Sequence, residues 1–146
     1  MIESVSPQNL IEVLPLIRAY QNFYKVANIS DKNNAEFFAQ FGEGSPAGCQ
    51  FIYRVDNKAV AFATVYFSFT STITAKVAVL NDLYTDPEYR GRGIAKQLIE
   101  HCREYAKQAG AARLQWVTAP DNTQAQKLYD KLAASKSTWH FYAYNT

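Results

Sequence analysis

The chain has 146 residues, 48% of them hydrophobic and 14% aromatic, which is one domain's worth and too apolar for a disordered chain. Charged residues make up 19% and the net charge is +2, which excludes a polyanion-binding protein but not a single phosphate-bearing ligand. Cys49 and Cys102 are too few for a disulfide framework, and there is neither a basic leader nor an 18-residue apolar run, so the expectation is one cytoplasmic domain over residues 1–146 with no membrane span.

Residues 1–5 alternate and predict a short first strand. Ser6-Pro7 reads as an N-cap followed by proline at the first helical position. Leu10, Leu14, Ile17 and Tyr20 then recur at helical spacing, and Pro15 is expected to kink that helix or delay its start. A second short helix over residues 31–41 carries Phe37, Phe38 and Phe41 on one side. Residues 42–48 form a loop rich in Gly, Ser and Pro. Three strands are expected next, at 49–55, 59–71 and 74–85, the first two joined by a tight turn at Asp56-Asn57-Lys58. Residues 93–108 have helical period and Gly110 closes that helix. A strand at 113–118, a helix at 123–134 and a final strand at 139–144 complete the chain. The last strand is apolar on both faces, which implies a central position or a subunit contact. The order is that of an α+β (mixed α/β) protein with one β-helix-β unit over residues 74–118, and it excludes a doubly wound sheet or a barrel.

The most informative segment is Arg90-Gly91-Arg92-Gly93, where a strand passes through a turn into a helix. The first amides of a helix have no internal partner and carry the positive end of its dipole. Glycines let phosphates approach that backbone, and Arg90, Arg92 and Lys96 add charge, which together make a pyrophosphate site. The alternative is a surface turn with solvated arginines. It is neither a P-loop nor a dinucleotide fingerprint, because no Gly-Lys-Ser/Thr follows and Lys96 stands where the third glycine belongs.

Three linked features carry a resemblance. Arg90-x-x-Gly93-x-Ala95 matches the acetyl-CoA signature of the GNAT N-acetyltransferases, Gln/Arg-x-x-Gly-x-Gly/Ala. The preceding Asn81-Asp82-Leu83-Tyr84-Thr85-Asp86-Pro87 is similar to that family's strand and turn. So is Asn122-x-x-Ala125-x-x-x-Tyr129 some thirty residues on. The element order also resembles the GNAT acyl-CoA N-acyltransferase fold, a central, mostly antiparallel sheet flanked by helices. Tyr20-Gln21-Asn22-Phe23-Tyr24 together with Asn81-Asp82-Leu83-Tyr84 looks most like the small histone- and polyamine-acetylating enzymes, with the diamine acetyltransferase branch close behind.

The resemblance implies acetyl-CoA as cosubstrate and a homodimer. Its pantetheine arm would pair with backbone at Leu83, Tyr84 and Thr85, where an amide polarises the thioester carbonyl. Its pyrophosphate would rest on the turn amides of Gly91, Arg92, Gly93, Ile94, Ala95 and Lys96, beside Arg90. Asn122 matches the family asparagine that contacts the cofactor, in the motif with Ala125; capping the last helix is its other role. Tyr129 matches the general acid, since a phenol with an ordinary pKa of about 10 can protonate a departing thiolate; by periodicity alone it would be a core tyrosine. Many relatives carry Glu where this chain has Asn81, and an amide cannot accept the acceptor's proton. Asp82 is the adjacent carboxylate, pointing the opposite way in a regular strand unless a bulge re-aims it; its other reading is a structural carboxylate. A water chain is the other route for the proton, in which case Asn81 would orient the amine or a water.

On the acceptor side, Tyr20 and Tyr24 lie one turn apart and share a helix face, so they line a site together or pack the core. Glu12, Asp31, Glu36 and Glu43 form no cluster, which disfavours a strongly polycationic acceptor. His101 and His140 lack metal-ligand spacing, so no metal is expected. Nucleic acid is not expected either, because aromatic and basic residues are not interleaved on one strand. The leading expectation is an N-acetyltransferase that acts on a small-molecule amine by direct attack in a ternary complex. The alternatives are a protein lysine or N-terminal acetyltransferase and a non-catalytic acyl-CoA-binding module.

Overall fold

The computed structural model describes residues 1–146, which form two compact units, Met1–Trp116 and Val117–Thr146. The first unit holds a five-stranded sheet in sequence order: β1 (Ile2–Ser4), β2 (Gly48–Val55), β3 (Lys58–Thr70), β4 (Ala75–Thr85) and β5 (Leu114–Gln115). The first three pairings are antiparallel and β4–β5 is parallel. Parallel neighbours need a crossover, and α3 (Ile94–Gln108) supplies it, as the β-helix-β pattern predicts. Helices α1 (Leu10–Phe23) and α2 (Asp31–Phe38) lie between β1 and β2 in the chain.

Local chemistry accounts for most of these elements. Asp56 and Asn57 both take positive φ, 48° and 65°, the geometry of a two-residue hairpin turn whose twist matches the strands it joins. Helix α1 begins later than the Ser6-Pro7 signal suggests. Ser6 is not its N-cap; instead the Ser6 carbonyl accepts from the amides of Asn9 and Leu10, and Asn9 Oδ1 accepts from the Ser6 amide at 2.7 Å. Pro15 sits inside the helix on its solvent side.

Alternation sends the two faces of the sheet to different helices. Val13, Leu16 and Ile17 of α1 and Phe38 of α2 pack with Val5, Phe41, Ile52 and Phe62. On the opposite face, Phe51 meets His101 and Tyr105 of α3 with ring centroids 4.7 and 5.1 Å apart. That packing gives His101 a structural place, and burial lowers its pKa. The end of α1 nearest β1 is tied to the sheet by Arg54, which donates to Glu3 and, through both terminal nitrogens, to Glu12.

The second unit departs from expectation. Helix α4 (Thr123–Tyr129) ends five residues before the predicted boundary, and residues 139–144 form no strand. Trp139, Phe141, Tyr142 and Tyr144 are all exposed. A strand exists only where a neighbour completes its ladder, and β-propensity without a partner leaves an apolar segment unpaired.

Gly48 opens β2 with φ of +145°, and a Cβ there would stand 1.9 Å from the carbonyl oxygen of Val65. Since that obstacle is backbone of the central strand, Gly48→Ala is expected to destabilise the protein by about 3 kcal/mol or more, read as a lower midpoint in denaturant or thermal unfolding.

Candidate active site

The site begins with an irregularity in β4. Upstream, Leu80 lies opposite Val65; downstream, Asp82 lies opposite Thr64. Asn81 is the extra residue of a β-bulge. Neighbouring residues of a strand face opposite sides, so moving the pairing from Val65 to Thr64 across one inserted residue carries Asp82 over to the face covered by α1 and α2. There it joins a row of directly opposed residues, Gln50, Thr64 and Asp82, exposed by 0%, 0% and 6%.

The surroundings of this carboxyl are polar but uncharged. Asn81 Nδ2 donates to Asp82 Oδ1 at 3.1 Å and reaches the Tyr66 hydroxyl at 3.5 Å. Oδ2 is buried and accepts no hydrogen bond that closes fully. Burial raises the pKa of Asp82, and the nearby Thr64 and Tyr20 hydroxyls and the Asn81 amide only partly offset that. The same enclosure acts on the two phenols: burial first and the Asp82 charge second push both Tyr20 and Tyr66 above the ordinary tyrosine range.

Tyr20 and Tyr24 are neighbours, as their spacing on one helix face predicts. Their rings lie 5.0 Å apart, edge to face, and Tyr20 also meets Phe62 and Tyr84. The Tyr20 hydroxyl reaches the Asn81 carbonyl at 3.5 Å. Tyr24 and Asn81 are exposed, so the cluster runs from a buried acid to an open aromatic rim.

Beyond the bulge, β4 has a free edge. Parallel pairing with β5 covers only Ala78 and Val79. The Asp86 amide donates to Val60 of β3, so by alternation the amides of Leu83 and Thr85 point to the other edge. The Thr85 carbonyl on that edge is taken by Arg90 Nε at 2.9 Å.

The turn that follows fits a polyphosphate. Gly91 and Gly93 take φ of +74° and +76°, and a Cβ on either would project into open space. None of the amides of residues 91–96 donates to another group of the protein. Arg92 donates to the Glu88 carbonyl, and its guanidinium lies 5.0 Å from the Tyr89 ring centre. Lys96 is exposed, whereas the Ile94 side chain is core, so Ile94 and Ala95 offer the turn their backbone. These residues match what acetyl-CoA requires: a strand edge for an amide-bearing arm and unpartnered amides with flanking cations for its phosphates.

In the second unit, Asn122 caps α4, its Oδ1 accepting from the Ala125 amide at 3.2 Å. Tyr129 is the last residue of that helix and is half-buried. Gln50, Thr64 and Tyr66 were not singled out by sequence reasoning. A polar residue within an apolar strand looks like a solvent-facing one until its cross-strand neighbours are known.

A family model described as the acetyltransferase (GNAT) family matches residues 14–134. The chain therefore belongs to the GNAT family and is a GNAT N-acetyltransferase. An uncharacterised N-acetyltransferase of Bacillus subtilis, YhfO, is 27% identical over 137 residues, covering 94% of this chain and 91% of that protein. The thialysine N-epsilon-acetyltransferase of Bos taurus is 34% identical over 89 residues, covering 58% of this chain and 52% of that enzyme, so the match spans about half its length. Among solved structures, an aminoglycoside N-acetyltransferase in complex with CoA superposes with a TM-score of 0.83 at 20% identity, covering 99% of this chain and 93% of that one, and so shares the fold.

Two expectations follow from this geometry. Because the native pKa of Asp82 is raised, its contribution to stability is full at acid pH and is lost as pH rises from the unfolded carboxylate value through the native one. Asp82→Asn is thus expected to raise the thermal midpoint at pH 7 and to give up that advantage toward pH 4, by calorimetry at both values. Gly93→Ala projects a methyl into the open space beside the turn and strains a left-handed residue by about 1 kcal/mol. Titration calorimetry should show CoA binding weakened ~10-fold, the equivalent of one charge-assisted hydrogen bond.

Proposed function

We propose that this protein transfers an acetyl group from acetyl-CoA to the primary amine of a small molecule, by direct attack in a ternary complex, and that both compact units belong to one catalytic domain. The observation that carries the reading is the bulge at Asn81, which sets a buried carboxyl beside the free edge of β4, with the glycine turn directly following. Acetyl-CoA supplies the acetyl group as an activated thioester. Leu83, Tyr84 and Thr85 hold its arm, and Arg90, Arg92, Lys96 and the amides of residues 91–96 hold its phosphates. Asn122 assists on the strength of the motif it forms with Ala125.

Asp82 takes the proton that the acceptor ammonium must lose. Asn81 cannot take it, because an amide nitrogen is not basic; its exposed amide orients the incoming amine instead. Tyr20 stands between the rim and the carboxyl. A hydroxyl that donates to a carboxylate while accepting from an ammonium passes on one proton and keeps none. Tyr129 gives its proton to the departing sulfur, a role resting on the Asn122–Ala125–Tyr129 spacing.

The aromatic rim of Tyr20 and Tyr24 suits an aliphatic or cationic amine. Glu12 and Asp31 are engaged by Arg54 and Arg18, which speaks against their serving a basic protein tail. The thialysine enzyme among the relatives acts, by its name, on a small amine. The buried free thiols of Cys49 and Cys102 suit a cytoplasmic setting, and we extend to this chain the homodimer expected from the family resemblance.

The test is thiol release from acetyl-CoA against polyamines, L- and D-amino acids, aminoglycosides and a histone-tail peptide. Turnover is expected with one class of small amine, reduced about 10²-fold or more in Tyr129→Phe and in Asp82→Asn. Turnover with the peptide alone would move the acceptor to protein lysine. CoA binding without turnover on any amine would reduce the site to a binding module.

A further inference from the structure

Gln50 is fully buried one strand away from the site, and the proposed chemistry makes no use of it. It lies opposite Thr64, which lies opposite Asp82, so the three side chains cross β2, β3 and β4 in one line. Gln50 Nε2 donates to Thr64 Oγ1 at 3.0 Å. Gln50 Oε1 is buried and accepts nothing, so the Thr64 proton does not return to Gln50. A threonine hydroxyl has one hydrogen, and with its oxygen accepting from Gln50 that hydrogen is free to turn away, toward the neighbouring carboxyl. The direction open to the line is thus amide to hydroxyl to carboxylate, its first link a closed hydrogen bond and its second the approach of Thr64 to the carboxyl directly opposite.

We propose that Gln50 is a positioning residue for the Asp82 carboxyl, acting through the Thr64 hydroxyl that its amide orients. The proposal rests on the reading of Asp82 as the proton acceptor. The groups bearing on this carboxyl are few. Tyr20 from α1 and Tyr66 from β3 are the titratable ones, β2 contributes only Gln50 through Thr64, and no cation is among them. A buried carboxylate with no counter-ion depends on neutral donors to hold its charge, and losing one of them makes the carboxylate harder to form. Gln50 thereby helps decide what fraction of the enzyme carries an ionised base at neutral pH.

The experiment is a carbon-13 NMR titration of side-chain carboxyls in the free, full-length protein, with the Asp82 signal assigned by its disappearance in Asp82→Asn. The expected result is an upward shift of the Asp82 titration by about one pH unit in Gln50→Leu, the size of a lost hydrogen bond to a charged group. Thr64→Val, close to isosteric, should give the same shift, and the double variant no more than either. If Gln50→Leu fails to fold, Thr64→Val and Gln50→Met carry the test. With the amine found active, Gln50→Leu should lose several-fold in kcat/KM at pH 7 and regain it near pH 9, which a merely structural defect would not do.

An unchanged or lowered Asp82 titration in folded Gln50 variants would overturn the proposal, since it would mean that Thr64 donates to Gln50 instead. A shifted titration together with full turnover in Asp82→Asn would sink the reading of Asp82 as base and, with it, the catalytic meaning of Gln50, while leaving the hydrogen-bond order intact.

Discussion

The placement of the buried carboxyl depends on one residue inserted into β4, opposite the most buried stretch of β3. Without the bulge at Asn81, Asp82 would share a face with Leu80 and point toward α3. With it, the carboxyl enters the layer between the sheet and α1, opposite Thr64. Tyr84, two residues on, follows to the same face and meets Tyr20 and Phe62. A bulge interrupts a ladder and bends its strand, so it persists only where surrounding packing holds it. Here the apolar cluster of Val13, Leu16, Ile17, Ile52 and Phe62 does so from the helix side.

The two ends of this segment have opposite electrostatic characters, both made by breaking regular structure. At the bulge, a carboxyl sits among neutral donors and no cation, so its proton affinity is high and responds to each hydrogen bond. At the glycine turn, six successive amides are left without partners and two arginines and a lysine flank them. The short pairing of β4 with β5 leaves the edge between these two regions open. A buried carboxyl and a run of unpartnered amides thus lie on one continuous stretch of fifteen residues, with the route between them set by backbone.

Much of the fold was legible because its signals are local. The Asp56-Asn57 turn, the helical period of α3 and the glycines opening it act within a few residues, and the β-helix-β unit follows from them. The aromatic pair Tyr20 and Tyr24 was legible for the same reason, since positions one helical turn apart must be neighbours. The predicted strand at residues 139–144 failed because aromatic and apolar content states a preference for pairing, not the presence of a partner. The Ser6 cap failed because its backbone carbonyl, rather than its side chain, closes the first turn of α1.

By itself the sequence determined the order of most elements, the glycine turn that opens α3 and the family to which the chain belongs, because each is written in contiguous residues whose physics needs no distant neighbour. Only the tertiary structure decided which carboxyl is buried, which face it occupies and what touches it. Register is a relation between strands, and a one-residue shift exchanges every side chain between the two faces. Asn81 and Asp82 could be read as alternatives; Gln50 and Thr64 could not be read at all until β2, β3 and β4 stood side by side and made one line of them.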